Sequence, residues 1–359
     1  MNQFFNTKNI AREALPILES NLVFPELIYK DYSEDISKQG DLIQVRKPPV
    51  YSANEFEGAI EIQDIKESEI LVKLDKIADV SVELSAKEMA LNAEDFTKQV
   101  IEPAMVAIAE KINADGLALY KDIPYTCGES GTAPSTLSDL AGGAKALNDN
   151  KAPISARSAV WNTEAMANFQ TLPALVNAEK CGSTEALKEG AIGRVFGVDH
   201  YFSQQVPQHT AGNYSGSATA TSEGDGMILI SGSTNGKLLA GDILHIGTGS
   251  YVVREDVTMG DPEVVVKIYP SLAAEDERKA VTAAGSHAAN LMFQKNAFGF
   301  VSRPLEAARG ADSYVTSYNG ISVRVTMDYN ITTKKQTLSI DTLYGFKTLY
   351  PELAVRVLG

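Results

Sequence analysis

Phe96, Val100, Ala104, Ile108 and Ile112 recur every four residues, the spacing of a buried stripe along one face of a helix, over a stretch longer than an ordinary strand. Asn92 stands where a cap belongs, and Glu94 and Asp95 fall in the first turn, where the helix dipole favours acids. The pattern persists to about Tyr120, which makes the helix roughly 40 Å long at 1.5 Å per residue. Pro103 lies inside it and predicts a kink, or two collinear pieces. A helix of this length acts as a spine, and the remaining chain must be arranged along it.

Strand patterns flank the spine on both sides in sequence. Ile70, Val72 and Leu74 keep a period of two, and Val80, Val82 and Leu84 resume it after Ile77. Upstream, Asp41–Arg46 reads as extended and stops at Pro48-Pro49, a pair that no central strand accepts. The stretch from Pro49 to Glu69 is polar and poor in core residues, so the expectation is a protruding hairpin with a charged tip. Near the C-terminus Ile321, Val323, Val325 and Met327 alternate, as do Leu338, Ile340 and Thr342, with Thr332–Lys335 as the turn. That pair is expected beside the 70–84 strands. Ile10, Ala14, Ile17 and Leu18 suit a short helix in an N-terminal arm, with Pro16 limiting its regularity.

Between spine and closing hairpin the composition changes twice. From Tyr125 to Val206 short elements alternate: a helix near 135–148, a strand at Ser158–Trp161, a helix at Thr163–Phe169, and a glycine-punctuated loop (Gly182, Gly190, Gly193, Gly197) into Val198–Phe202. This is a mixed α/β lobe. Within Thr210–Gly226, ten of seventeen residues are Gly, Ser or Thr, and short strands follow at 227–230, 243–246, 251–253 and 264–268. A small all-β barrel or sandwich inserted over 207–289 is the expectation, with 275–289 as loop or helix.

Charge narrows the function. The 359 residues carry a net −14, and twelve acids against four lysines between Asn54 and Asp95 supply −8 of it. Such a balance disfavours a protein that holds nucleic acid by neutralising phosphates, or one that sits on an anionic membrane. The acidic stretch is either a solvated surface or a contact for a basic partner. Apolar runs reach only about five residues, so no transmembrane helix is expected, and Met1–Arg12 lacks a signal-peptide layout. Two cysteines, Cys127 and Cys181, allow one bridge but not a disulfide scaffold.

Catalytic constellations do not emerge. Gly232–Lys237 is one residue short of a phosphate loop, and Leu238 replaces its hydroxyl residue. Gly247-Thr-Gly249 lacks the third glycine of a dinucleotide fingerprint, and the glycines of Gly128–Gly131 are misplaced for a nucleophile elbow. His200, His209, His245 and His287 never fall at i, i+4, and no Cys-x-x-Cys exists. Each histidine reads as a surface or hydrogen-bonded residue, not a ligand. Neither enzyme activity, cofactor nor metal is expected, and the pattern points to self-association.

Taken in order, these elements resemble the major capsid (coat) proteins of tailed bacteriophages, the Hong Kong 97-type fold, in the Salmonella-podovirus branch that carries an insertion domain. Val72–Ser85 leading to Asp95-Phe96 and Ile101–Ala104 is similar to the family's strand-to-spine passage. Ala156–Asn162 resembles the opening of its axial lobe, and Gly193–Gly197 with Gln205–Pro207 the approach to the insertion. Leu239–Ile246 resembles the insertion's barrel entry, and Asn290–Leu305 the return strand. The likeness runs from about residue 8 to 358. It implies an α+β architecture with an N-terminal arm (1–45) and an extended E-loop hairpin (46–80). A peripheral domain with the spine (81–124, 318–345), an axial domain (125–206, 290–317, 346–359) and the β-rich insertion (207–289) complete it.

The resemblance further implies pentamers and hexamers closing an icosahedral shell around double-stranded DNA, assembled in the host cytoplasm, with a portal protein as partner. No long helical extension precedes the arm, so a separate scaffolding protein is expected. Flexible extensions let one chain occupy inequivalent places in a shell, and unpaired edges invite pairing with a neighbour. The acidic tip (Glu61, Asp64, Glu67, Glu69) is expected to meet basic side chains of a neighbouring copy, the candidates being Arg46, Lys47, Lys334 and Lys335. An encapsulin-like shell around protein cargo is one rival, which the insertion disfavours. A carbohydrate-binding or hydrolytic enzyme is the other, for which a single tryptophan, Trp161, offers little.

Overall fold

The fold was read from a computed structural model that describes residues 7–30, 42–47, 68–85, 97–177, 189–260, 262–332 and 335–359. The chain divides into two compact units. The first takes in Met1–Ser20, Lys30–Ile108 and Gly299–Leu349, the second Asn21–Tyr29, Ala109–Phe298 and Tyr350–Gly359.

In the first unit a five-stranded sheet runs in the order Phe298–Arg303, Lys335–Thr348, Ile321–Asn330, Asp312–Tyr318, with Lys76–Ser85 also paired to Lys335–Thr348. The expected neighbours are therefore neighbours. Register explains why the alternation was so clear: Val80, Ile340 and Val325 lie in one row across three strands, and Val82, Leu338 and Met327 in the next. Cross-strand apolar rows of this kind are the stabilising unit of a sheet. On the other face Arg324 grips Asp341, its register partner, through two hydrogen bonds of 2.9 and 2.5 Å.

The short helix expected in the N-terminal segment is present. Thr7–Asn21 is a helix that buries Ile10, Ala11, Ala14, Leu15 and Leu18, while Ile17 is half-buried. Thr7 donates to Asp312 at 3.1 Å and Asn319 donates to Glu19 at 2.8 Å, so 7–20 is packed on the edge strand. The apolar stripe is complete enough to dock once the sheet supplies a surface.

The spine is continuous from Thr97 to Asp122 but not uniform. A π turn (Thr97–Ile101) precedes the α-helix Glu102–Leu117, and a 3₁₀ turn (Ala118–Asp122) ends it. The π turn sits where Pro103, lacking an N–H, leaves the carbonyl four residues back without its helical donor. Ala104, Ile108 and Ile112 are buried as expected, joined by Ile101, Met105 and Ala109. Asn92, the expected cap, lies outside the described residues.

In the second unit the lobe is a mixed seven-stranded sheet, ordered Thr126–Cys127, Ala354–Leu358, His287–Gln294, Arg157–Trp161, Val198–Phe202, Gly193–Val195, with Gln208–His209 also paired to His287–Gln294. Helix Leu137–Asp149 opens on a capping box between Thr136 and Asp139, and Asn162 caps Thr163–Phe169. Trp161 is fully buried, edge-on to Phe169 at 4.9 Å, and donates to His200 Nδ1 at 2.9 Å. Val195 and Val198 face each other across Phe196-Gly197, both at positive φ, which is the two-residue turn that suits a twisted hairpin.

The inserted β domain is a closed barrel. Its six strands run in the order Val281–Ala283, Ile243–Ile246, Gly249–Val253, Glu263–Tyr269, Met227–Asn235, Ser215–Gly224. The two ends of that sheet meet through a Thr219–Ala280 bridge and the bonds Ala220 N to Lys279 O (3.2 Å) and Arg278 N to Ala220 O (2.7 Å). Closure removes sheet edges, and Ile228, Ile230, Leu244, Ile246, Tyr251, Val253, Val266 and Ile268 fill the interior. Gly232–Lys237 is a strand and its turn, and Gly247-Thr248 is a hairpin turn held by buried Asp276, which accepts from Thr248 N at 3.0 Å and Tyr251 Oη at 2.7 Å.

Three boundaries shift. Residues 275–289 are not loop or helix throughout: Val281–Ala283 is the barrel's closing strand, and His287–Ala289 already belongs to a lobe strand. Phe298–Arg303 and Asp312–Tyr318 run in the five-stranded sheet, so 299–317 falls in the first unit and not in the axial lobe. The 3₁₀ turn Lys295–Ala297, in which Gln294 accepts from Asn296 N at 2.8 Å, ends the lobe strand between them.

Candidate functional site

Two places carry the charges that a self-assembling chain could use. The first is the hairpin. Strand Leu42–Lys47 pairs antiparallel with Ser68–Lys73, so the expected hairpin exists, with its tip outside the described residues. Arg46 stands opposite Glu69 and Lys47 opposite Ser68. Two of the residues singled out as partners between copies, Arg46 and Glu69, are thus neighbours within one chain. Glu61, Asp64, Glu67 and Lys334 lie outside the described residues. Lys335 opens the final long strand and forms an ion pair with Glu83 at 2.6 Å, both side chains about half exposed.

The second place is the joint at which the barrel leaves and re-enters the lobe. The chain crosses there twice, and the two crossings pair: His209 lies opposite His287, and Gln208 opposite Ala288. Five buried side chains meet there: His209 and His287 themselves, Tyr120 from the end of the spine, Asp242 from the turn before the first hairpin strand, and Arg356 from the last strand.

Arg356 is fully buried and binds backbone carbonyls from both sides of the joint. It donates to Gly241 O at 2.8 Å in the barrel turn, and to Tyr120 O and to Ile123 O (3.2 Å) after the spine. Its guanidinium also lies 4.8 Å from the centre of the Tyr120 ring, a cation–π arrangement. Burial pushes the Arg356 group down to about 9, which leaves it charged at neutral pH.

Asp242 supplies the compensating charge. Its two carboxylate oxygens accept from Gly212 N (3.3 and 3.1 Å), Leu239 N (2.7 Å) and His209 Nε2 (2.8 Å). A carboxylate only accepts, so His209 donates from Nε2 and accepts the Tyr120 hydroxyl hydrogen bond at Nδ1, 2.9 Å away. Burial raises the Tyr120 phenol, which keeps that donor protonated. Arg254 adds an outer contact at 2.5 Å to Asp122.

None of these five residues was singled out for function in the sequence, although the reading of the histidines as hydrogen-bonded residues agrees with their contacts. Their positions, 120, 209, 242, 287 and 356, have no common spacing. The one available signal was an arginine in an otherwise apolar strand, Ala354–Leu358. Among the described residues no cluster of His, Cys, Asp or Glu could hold a metal, and no helix is long and apolar enough to cross a membrane. Cys127 is a free thiol that burial pushes up to about 12.

Comparison with known proteins places this geometry. Over 94% of its length the chain superimposes on 90% of a chain from Mycobacterium phage Che8, with a TM-score of 0.54 at 14% identity. It matches 88% of a chain in the capsid structure of the cyanophage P-SCSP1u over 94% of its own length, with a TM-score of 0.50 at 14% identity. The chain has the phage capsid-shell fold. Residues 241–359 match the family model described as P22 coat protein - gene protein 5. That match begins at the joint glycine and takes in Asp242, His287 and Arg356. No curated protein sequence matches the chain.

Proposed function

We propose that this chain is the major capsid protein of a tailed bacteriophage or prophage. The observation that carries the reading is the P22 coat-protein match over 241–359 on a chain whose full length adopts the capsid-shell fold. Its role is structural: many copies build the wall of the virion. Pentamers and hexamers, double-stranded DNA as contents, a separate scaffolding protein and a portal protein, and assembly in the host cytoplasm complete the proposal. The division into arm, E-loop, peripheral, axial and insertion domains belongs to it as well. So does the pairing of the acidic tip (Glu61, Asp64, Glu67, Glu69) with Arg46, Lys47, Lys334 or Lys335 of a neighbour.

Physical features support the reading. A closed barrel with its own core can be added to a lobe without disturbing the lobe sheet. A two-stranded sheet leaves two unpaired edges, so this hairpin gains by pairing with another chain. The −6 that remains outside the acidic stretch suits a wall that should not adhere strongly to enclosed DNA. Expression with and without the neighbouring phage structural genes, followed by sizing and nuclease-protection assays, tests it. Particles that protect DNA after packaging are expected. Particles that hold only protein would favour the nanocompartment reading, and a small monomer under all conditions would favour neither shell.

A further inference from the structure

The joint contains a group that the shell reading does not use. His287 is fully buried, and its Nδ1 lies 2.8 Å from Gly285 O. A carbonyl only accepts, so Nδ1 carries the hydrogen and Nε2 holds the lone pair. That lone pair has no protein partner. Facing it are the His209 ring, 5.1 Å away between centres, the Arg356 guanidinium and, more distantly, the Asp242 carboxylate. Tyr120 closes the cluster from the spine, and the Asp122–Arg254 pair and Lys121 border it from outside.

The two histidines differ in what a proton would do to them. His209 already spans a hydroxyl and a carboxylate, and when charged it would still donate to Asp242, while the Tyr120 oxygen can accept at Nδ1. His287 has no such partner. A proton taken from solvent onto Nε2 would put a second cation beside Arg356 with no acceptor to receive its N–H. Burial, with Arg356 and His209 adding, holds the His287 imidazole down to about 4. In an opened joint, with the ring in water, it would return toward the ordinary value near 6.5.

From this cluster we infer that the joint is an acid-released latch: protonation of His287 frees the two chain crossings and lets the inserted barrel separate from the lobe while remaining folded. The position of His287 makes the latch effective, because it is paired with His209 on the opposite crossing and neither crossing can move without breaking the pair. The barrel survives because its core, closed by the Thr219–Ala280 bridge, contains none of the five joint residues. The inference does not depend on the shell reading and would hold for a lone subunit.

The sign follows from linkage. The closed joint rejects the proton and the open one accepts it, so closure is fully favoured above about pH 6.5 and weakens as pH falls toward 4. Between about pH 7 and pH 5 the open fraction should rise roughly twentyfold. Hydrogen exchange by mass spectrometry on the full chain, corrected for intrinsic rates, reads this directly. Peptides covering 207–212 and 284–289 should lose protection by that factor, while peptides covering 227–231 and 264–268 keep theirs. The His287→Gln variant should show joint protection that no longer changes with pH.

Should Gln itself loosen the joint, exchange of the imidazole C2 hydrogen in the unmodified chain gives an independent answer. His287 should then titrate in step with joint opening. Joint peptides that stay protected down to pH 5, barrel peptides that open together with them, or a His287 that titrates near its ordinary value with the joint closed would each overturn the latch.

Discussion

The hairpin and the joint hold charge in opposite ways. The acidic stretch 54–95 carries a large part of the chain's formal charge, spread over many acids, and one ion pair made by that stretch, Lys335–Glu83, is half exposed. The joint holds one arginine and one aspartate, both buried, the arginine donating to backbone carbonyls through its two terminal nitrogens and the aspartate accepting at both oxygens. Exposed pairs are screened and contribute about 0–1 kcal/mol each, whereas breaking a buried pair costs about 3–5 kcal/mol because a charge is left behind without water. The number of charges in a sequence segment therefore says little about where charge fixes a structure. The hairpin's many acids suit contacts that form and exchange, and the joint's two charges suit a geometry that must not drift.

That contrast can be attacked where it predicts most. Arg356→Met removes donors from the Gly241, Tyr120 and Ile123 carbonyls and the buried cation whose charge Asp242 balances. It should lower stability by about 3–5 kcal/mol in urea unfolding followed by the fluorescence of Trp161, the single tryptophan. A loss below about 1 kcal/mol would mean that the joint is no stronger than the surface.

Acid should act next. His200, like His287, is pushed down to about 4 by burial, so each adds stability that is complete above about pH 6.5 and drains away as pH falls toward 4. The urea midpoint reported by Trp161, which donates directly to His200, should fall by the equivalent of about 2 kcal/mol for each of the two histidines between pH 7 and pH 5. A flat profile would contradict the buried side of the comparison.

On the exposed side, charge reversal of Glu67 and Glu69 to Lys should reduce shell yield and change its dependence on salt, because the effect is repeated at every interface. Glu69→Lys also places like charges opposite one another within the hairpin, at Arg46. Glu67→Lys is therefore the cleaner test of contact between copies, read as particle yield across ionic strengths. The smallest effect belongs to Lys335→Ala. Loss of its exposed pair with Glu83 should cost at most about 1 kcal/mol and vanish in high salt, measured by thermal unfolding at two salt concentrations.

Much of this fold is legible where a local rule and a tertiary need coincide. The spine's stripe, the alternating strands at 76–85, 321–330 and 335–348, and the turn before Lys335 could each be read because their apolar residues keep to one face. Residues 7–20 were less legible. Their stripe is short and interrupted by Pro16, and only the neighbouring sheet shows that it docks. The assignment of 299–317 failed for a related reason: a single 3₁₀ turn at 295–297 decides which sheet the next strand joins, and no residue pattern marks it. The joint was illegible because its five members come from five distant parts of the chain. Burial converts a tyrosine, two histidines, an aspartate and an arginine into one unit, and burial is not written in spacing.

The central claim, that this chain builds a shell, is tested most directly by electron cryo-microscopy of the purified assembled protein. The account predicts closed icosahedral particles in which copies of this chain surround fivefold and sixfold positions, each hairpin (42–47 and 68–73) lying against a neighbouring copy. A homogeneous monomer or dimer that never forms rings or shells, with or without its co-expressed phage proteins, would contradict it.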